Sequence, residues 1–354
     1  MSYNIDELLE EAVKRSASDL HITVALPPVL RITGSLTRFG VEEFTVESAQ
    51  DTIFSLMNEG QRAKLMEIGE LDFSYAVPGI GRFRVNVFRQ RKSLAAAIRV
   101  IRPTVPAIDE LSMPAILKDF ALSKNGLFLV TGHTGSGKST TLAAMMRHIN
   151  ENKSCHMITI EDPIEYIHTH GKSIVNQREV NDDTLGFSNA LRAALREDPD
   201  VILVGEMRDL ETISTAVTAS ETGHFVMSTL HTSGAIQTID RIIDVFPPHQ
   251  QQQIRTQLAM VVTCILSQHL IPRANGDGRV AAIELLIAND AVRNIIREGK
   301  TYQLQTVLQT NIKNNMIPMD YSLARLVREG VITQQMGRTY CNDEETYQRY
   351  LSVY

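Results

Sequence analysis

Residues 132–140 read GHTGSGKST, and this stretch decides the fold of the second part of the chain. It matches the phosphate-binding pattern GxxxxGK[ST]. The apolar run Leu127 to Val130 leads into it, and a helical pattern from Leu142 to Ile149 follows it. A strand, a glycine-rich loop and a helix in this order indicate a phosphate-binding loop rather than a chance glycine turn.

The chemistry of this loop comes from its backbone and from two side chains at its end. Glycines let backbone N–H groups turn inward around a phosphate, and the following helix directs partial positive charge to the same place. Lys138 is predicted to reach the β- and γ-phosphates, and the Ser139 hydroxyl to ligate Mg²⁺. We expect nine residues to form the nucleotide site: Gly132, His133, Thr134, Gly135, Ser136, Gly137, Lys138, Ser139 and Thr140.

Short apolar runs alternate with helical patterns after residue 115. The predicted strands are residues 126–132, 156–162, 201–206 and 224–231. This alternation predicts βαβ units, a mostly parallel sheet and an α/β fold class. Residues 247–270, with four consecutive glutamines, are predicted to form one long helix, and the tail from Asn289 to be mostly helical.

The preceding part of the chain is predicted to be a small α+β domain. Apolar residues between Ile5 and Val13 recur at helical spacing, and residues 48–67 also look helical. Residues 20–37 are predicted to form two strands around a proline turn, and residues 72–101 are rich in alternating β formers.

A proline-rich stretch separates the two parts. It holds Pro103, Pro106 and Pro114, and prolines interrupt regular structure. The predicted domains are therefore residues 1–101 and 115–354, joined by a linker at 102–114.

Composition excludes several classes of protein. The net charge of −6 and the pI of about 6.0 argue against nucleic acid as a main partner. The three cysteines are far apart and form no CxxC pair, so no zinc site or disulfide framework is predicted. No secretory signal pattern is visible, and no run approaches the ~18 apolar residues that span a bilayer. We expect a cytoplasmic protein that reaches a membrane only through a partner.

Carboxylates that follow predicted strands are the candidate catalytic groups. Glu206 ends the apolar run VILVGE, where it could hold Mg²⁺ beside the phosphate loop or be a solvated strand end. Gly205 stands at the strand position where many proteins with a phosphate-binding loop have an acidic residue. Glu161, Asp162 and Glu165 follow another strand, and any of them could orient the attacking water. An acidic loop without a catalytic role is the alternative.

His231 and a group of arginines are further candidates. His231 ends an apolar run, where the residues alone favour a structural role over that of a sensor or base. Arginines in residues 81–91 form either a solvated charged face or fingers that neutralise the γ-phosphate. The finger candidates are Arg82, Arg84, Arg89 and Arg91. Weaker candidates for phosphate contacts, for which surface ion pairs are favoured instead, are Arg192, Arg196 and Arg208.

Four motifs stand in a fixed order: GHTGSGKST, ITIEDPIEY, DPDVILVGEMRD and STLHTSGAIQTIDRI. Together they resemble the secretion ATPase superfamily, most closely its type IV pilus retraction branch. Similar segments at 17–22, 82–91 and 291–300 extend the resemblance over nearly the whole chain. The last reads AVRNIIRE where the retraction branch usually has AIRNLIRE, and both exchanges keep apolar character.

The resemblance implies a fold and roles for individual residues. The family has an N-terminal PAS-like α+β domain followed by a RecA-like P-loop ATPase domain, and ATP binds between the domains near a neighbouring subunit. Glu165 matches the family's catalytic glutamate, Glu206 its Walker B glutamate and His231 its histidine-box residue. The segment Arg82 to Arg91 matches the arginines that reach the phosphates.

The function that the resemblance implies is a hexameric ATPase motor for pilus retraction. It would use ATP and Mg²⁺, act on a pilus platform protein of the inner membrane and indirectly on pilin, and lie peripherally at that membrane. The chain lacks the tetracysteine insertion and longer N-terminal region of extension and type II secretion ATPases, which favours retraction. Those motors remain one alternative, a non-hydrolysing nucleotide-gated scaffold a second and a phosphotransferase a third.

Overall fold

The computed structural model describes residues 3–101 and 104–353. The chain divides into two compact units, Met1–Thr104 with Glu165–Ile167, and Val105–Ile164 with His168–Tyr354. Arg102 and Pro103 of the expected linker lie outside the described residues, and the domain boundaries remain a prediction. None of the described helices is both long and apolar enough to span a bilayer.

The first unit is a six-stranded sheet with three helices. The helices are α1 (Ile5–Lys14), α2 (Val46–Ser55) and α3 (Glu59–Ile68). The strands are β1 (Asp19–Ile22), β2 (Val29–Ile32), β3 (Ser35–Arg38), β4 (Glu70–Val77), β5 (Gly81–Gln90) and β6 (Ser93–Ile101). Their order is β3-β2-β1-β6-β5-β4, and all neighbours are antiparallel.

Local sequence signals explain the helices of this unit. In α1 the Asn4 side chain caps the first turn, and Ile5, Leu8, Leu9 and Ala12 are buried at helical spacing. The single helical stretch expected at 48–67 is instead two helices, because Asn58 and Gln61 form a capping box that begins α3. The two strands expected at 20–37 are three.

The second unit is a seven-stranded sheet with helices. Its strands are β7 (Gly126–Thr131), β8 (His156–Glu161), β9 (Ile174–Glu179), β10 (Val201–Val204), β11 (Phe225–Leu230), β12 (Val262–Pro272) and β13 (Arg279–Ile287). Helices within the sheet region are α4 (Ile116–Ala121), α5 (Lys138–Asn152), α6 (Phe187–Ala194), α7 (Leu210–Glu221), α8 (Ala235–Asp244) and α9 (Pro248–Val261). The later helices are α10 (Asp290–Glu298), α11 (Leu304–Thr310), α12 (Met319–Arg328), α13 (Gln334–Tyr340) and α14 (Glu344–Val353), with short 3₁₀ turns at Thr301–Gln303 and Ile312–Asn314.

The strand order of this sheet is β13-β12-β7-β11-β10-β8-β9. Neighbours from β12 to β9 are parallel, whereas β13 runs antiparallel to β12. The mostly parallel sheet predicted from the alternation is therefore present. Buried aliphatic side chains cover both of its faces in two clusters, which is why its central strands are continuous apolar runs.

The long helix predicted at 247–270 is wrong. Helix α9 ends at Val261, and β12 begins at the next residue and pairs with β7. Residues 264–266 are consecutive buried apolar residues without alternation, and a short apolar run of this kind cannot be told from a buried helix by periodicity. The edge strands β9 and β13 were not expected either.

The last helices pack on the β12–β13 pair. Ile271 and Val280 of these strands share a buried cluster with Leu323 of α12 and Tyr347 of α14. Gly337 of α13 lies close to both α12 and α14. A Cβ added at Gly337 would overlap the Tyr347 hydroxyl of α14 and come within 3.0 Å of Val327 Cγ2 of α12. Only a residue without a side chain fits this crossing.

We predict that Gly337→Ala destabilises the second unit by about 1–3 kcal/mol, because the added methyl group overpacks the helix crossing. Thermal unfolding followed by circular dichroism should show the melting temperature fall by several degrees. Gly60→Ala is the matched control, since Gly60 also lies in a helix and its nearest atom to an added Cβ is Asn58 Oδ1 at 3.4 Å. It should be neutral or slightly stabilising. Equal melting temperatures for both variants would contradict the packing argument.

Candidate functional site

Four neighbouring parallel strands carry the candidate site at their carboxyl ends. The glycine loop follows β7, the acidic loop follows β8, Gly205 and Glu206 follow β10, and His231 follows β11. Because β7, β11, β10 and β8 are consecutive in the sheet, these segments leave the same edge. Ligands of open α/β sheets bind at this edge.

The glycine loop closes tightly on itself at Gly132. A Cβ there would lie 2.5 Å from the Gln268 carbonyl oxygen and 2.5 Å from Ser136 Oγ, and the φ angle of +143° also disfavours other residues. Gly137 has φ +90° and is the N-cap of α5, whose first residue is Lys138. The loop therefore ends directly at a helix N-terminus, the geometry that favours anions.

Lys138 is buried inside the loop, with 8% of its surface exposed. Its ammonium donates hydrogen bonds to the carbonyl oxygens of Gly132 at 2.9 Å and His133 at 3.2 Å. The side chain thus curls back over the loop that precedes it. This places a positive charge where the loop and the helix N-terminus already favour a phosphate.

Glu206 joins an arginine and a histidine at the end of β10. Its Oε2 lies 2.8 Å from Arg208 Nη2 and 3.5 Å from His231 Nε2. The carboxylate is four-fifths buried, whereas Arg208 is largely exposed. Arg208 was expected to pair at the surface, and its partner is this candidate catalytic carboxylate.

The pKa of His231 is lowered from its ordinary value. Burial contributes most, the charge of Lys138 adds to it, and Glu206 opposes both. The imidazole is therefore neutral at neutral pH and gains a proton only in more acidic solution. A neutral ring beside Lys138 and Glu206 can both donate and accept a hydrogen bond.

The packing around Gly205 is consistent with an acidic residue at position 206 and none at position 205. A Cβ at Gly205 would approach the Ile160 carbonyl oxygen to 3.1 Å and the Phe187 ring to 3.4 Å. The backbone here also pairs with both neighbouring strands, through Gly205 N–H to Ile160 and Thr229 Oγ1 to the Gly205 carbonyl. An acidic side chain at 205 would need the ring or the strand to move.

The acidic loop is held by side chains of the unexpected strand β9. Glu161 Oε1 accepts hydrogen bonds from Thr159 Oγ1 at 2.6 Å and Gln177 Nε2 at 3.2 Å, so this carboxylate is engaged within the sheet. The backbone N–H of Ile164 donates to Glu179 Oε2 at 3.1 Å. Asp162 and Glu165 are exposed.

The candidate arginines lie on or next to β5 in the first unit. Phe83, Val85 and Val87 are buried, while Arg84 on the opposite face is exposed and 3.8 Å from Asp72. Arg89 donates to the Met66 carbonyl at 3.0 Å. Arg82, two residues before Arg84, lies on the same face of the strand. In the second unit Arg192 pairs with Glu211, as expected of a surface residue.

Comparisons with known proteins place this geometry in a family. A family model described as "Type II/IV secretion system protein" matches residues 1–344. The chain belongs to that family. The twitching motility protein of Neisseria gonorrhoeae is 47% identical over 98% of this chain and 92% of its own length. The type IV pilus retraction ATPase PilT of Pseudomonas aeruginosa is 47% identical over 97% of this chain and 100% of its own.

A solved structure of this secretion family is also similar over almost the full length. The pilus retraction motor PilT with bound ADP matches with a TM-score of 0.92 and 49% identity, covering 98% of this chain and 100% of that one. The resemblance, the α/β fold class and the expectation of an ATPase that powers pilus retraction are therefore confirmed. The roles of individual site residues stay predictions.

The residues of this family member fit a nucleotide's phosphates. The Ser136 hydroxyl is buried and has no hydrogen-bond partner among the described residues, within a loop that already holds Lys138 and a helix N-terminus. Ser139, half-buried in the first turn of α5, and Glu206 supply oxygen donors suited to Mg²⁺. Within residues 3–101 and 104–353 no cluster of three His, Cys, Asp or Glu side chains forms a metal cage. Such a cage is not needed, because Mg²⁺ in phosphoryl-transfer sites takes most ligands from phosphate and water.

We predict that Lys138→Ala lowers the rate of ATP hydrolysis at least about a hundredfold, since removing one preorganised donor from developing charge costs this much. Phosphate release under saturating ATP measures it. Lys124→Ala is the control, because Lys124 is exposed before β7 and its loss should leave the rate unchanged. Full turnover by the Lys138 variant would remove the loop from the reaction.

Proposed function

We propose that this chain works as a hexameric ATPase motor that retracts type IV pili. The observation that carries the proposal is the convergence of Lys138, Glu206 and His231 at the carboxyl edge of the parallel sheet. A buried cation, a carboxylate and a neutral imidazole there can bind a triphosphate, hold its metal and sense its terminal group. The family's retraction motors match over nearly the whole chain.

The glycine loop binds the phosphates of ATP. Backbone N–H groups and the N-terminus of α5 hold the phosphate oxygens, and Lys138 leaves its own loop carbonyls to pair with the β- and γ-phosphates. The exchange is favourable because a charged phosphate is a better acceptor for an ammonium than a neutral carbonyl. Nucleotide binding therefore rearranges the loop's own hydrogen bonds.

Glu206, Ser139 and His231 act around the terminal phosphate. Ser139 and Glu206 would hold Mg²⁺, which when bound neutralises charge on the phosphates. Arg208 keeps Glu206 in place through its 2.8 Å ion pair. His231, neutral and 3.5 Å from Glu206, would respond to the negative charge of the γ-phosphate.

Glu165 is our candidate for the group that orients and deprotonates the attacking water. Of the three carboxylates in its loop, Glu161 is occupied by Thr159 and Gln177, whereas Glu165 is exposed. Glu165 also matches the family's catalytic glutamate. Arginines of the segment 82–91 would neutralise charge that develops on the leaving phosphates.

Mechanical work follows from the change in charge on hydrolysis. Loss of the γ-phosphate removes contacts that order the site, and the segment 102–114 serves as the hinge for domain motion. In a ring of six copies such steps would turn an inner-membrane platform protein and return pilin subunits to the membrane. The motor itself stays on the cytoplasmic side.

We predict that Glu165→Gln lowers hydrolysis by about 10²–10⁴-fold while leaving ADP affinity within about twofold, because a general base acts on the rate and not on binding. Asp162→Asn tests the neighbouring exposed carboxylate and should retain turnover. A slow Asp162 variant together with an active Glu165 variant would move the catalytic role to Asp162.

A deletion strain distinguishes a retraction motor from the rival extension and secretion motors. Deleting the gene in its own host should give hyperpiliated cells that do not twitch, because fibres still grow but are not withdrawn. The wild-type chain should restore motility and the Lys138→Ala chain should not. Bald cells would instead support an extension motor, and normal pili with a secretion defect would support a type II secretion motor.

A further inference from the structure

Gln268 of β12 is a buried amide that touches the glycine loop at both of its polar atoms. Its surface is 1% exposed. Nε2 donates a 2.6 Å hydrogen bond to the Ser136 carbonyl oxygen, and Oε1 accepts a 3.0 Å hydrogen bond from Thr141 Oγ1. These two partners stand on either side of Lys138. The amide therefore bridges the end of the loop and the first turn of α5.

Apart from these hydrogen bonds, the loop also packs closely against Gln268 at two of its glycines. A Cβ on Gly132 would meet the Gln268 backbone oxygen, and one on Gly137 would lie 3.0 Å from its Nε2. The loop thus contacts this residue at its beginning, at its end and at the helix that follows. Contacts this close fix the path of the loop against β12.

The hydrogen bond to Ser136 sets the direction of one peptide group. A trans peptide is planar, so its C=O and N–H point in opposite directions. Because the Ser136 C=O points to Gln268, the N–H of Gly137 in the same peptide points away from β12. In phosphate loops these N–H groups are the ones that cradle the ligand.

We propose that Gln268 is a positioning residue for nucleotide, whose amide holds the loop with its N–H groups turned to the phosphates. This positioning role rests on the proposed function in one respect, namely that the loop binds nucleotide. The role needs a donor at Nε2 and an acceptor at Oε1 together. An ionised carboxylate at position 268 could not donate to the Ser136 carbonyl oxygen, and two acceptors would face each other. A protonated carboxyl there would supply one donor and one acceptor, as the amide does.

The test is the affinity of the full-length Gln268→Glu protein for ADP as a function of pH. Burial raises the pKa of the new carboxyl. It is therefore protonated and amide-like at lower pH and repels the loop carbonyl as pH rises. We expect the ratio of variant to wild-type dissociation constants to rise at least about tenfold from pH 6 to pH 8, as expected for a buried hydrogen bond lost.

Other ionisable groups on the surrounding elements are present in both proteins. They are Lys138 and His133 of the loop, His269 on β12, Glu284 on the paired strand β13 and Asp320 on α12. Taking the ratio to wild type at each pH cancels the contributions that these groups make equally in both proteins. Ser267→Ala is the control for disturbance of β12, because the Ser267 hydroxyl has no hydrogen-bond partner among the described residues.

A second variant covers the case in which the carboxyl prevents folding. Gln268→Met has similar length and no charge, and it should weaken ADP binding about tenfold at every pH, because the Ser136 carbonyl loses its donor. Ratios near one for both variants, at every pH, would overturn the positioning role. Failure of the wild-type protein to bind ADP would instead overturn the proposed function.

Discussion

A lysine ammonium buried among neutral carbonyl groups is the constraint on which the site depends. Removing a charge from water is costly unless partners replace the solvent, and the carbonyl oxygens of Gly132 and His133 are two of the partners of Lys138. The charge of Lys138 also acts on a neighbour: burial lowers the pKa of His231 most, and Lys138 lowers it further. A bound polyanion would be attracted to this charge and to the N-terminus of α5. The loop is thus already prepared for phosphate before ligand arrives.

The sheet positions everything else around that charge. Parallel strands from β7 to β8 deliver four loops to one edge, and their tight pairing limits what each loop can carry. At Gly205 an added Cβ would come within 3.1 Å of the Ile160 carbonyl oxygen, so a side chain there would require its neighbours to move, and the carboxylate is found at Glu206 instead. There it gains Arg208 and His231 as partners. Packing of the strands therefore disfavours an acidic side chain at position 205 and leaves Glu206 as the acidic group.

The sequence was sufficient to predict those parts of the molecule whose structure is specified by residues close to one another in the chain. The glycine loop, the strands that lead to it and α1 follow from spacing and composition alone, since each is specified by neighbours in the chain. The strand β12 could not be predicted in this way, because its apolar run at 264–266 has no alternation and its identity as a strand depends on pairing with β7, more than 130 residues away. Gln268 was missed for the same reason. A glutamine on a supposed helix gives no sign that it will meet a loop at Ser136.

Strand β12 also connects the glycine loop to the last helices. Gln268 holds the loop through its amide, while the ring of the next residue, His269, lies 5.7 Å from the His133 ring and 5.9 Å from that of Tyr340 in α13. Burial, and secondarily His133, lowers the pKa of His269, so these rings carry little mutual repulsion at neutral pH. Residues beyond β12 bury Ile271 and Val280 against α12 and α14. Strand β12 therefore contacts the glycine loop through Gln268 and the C-terminal helices through Ile271.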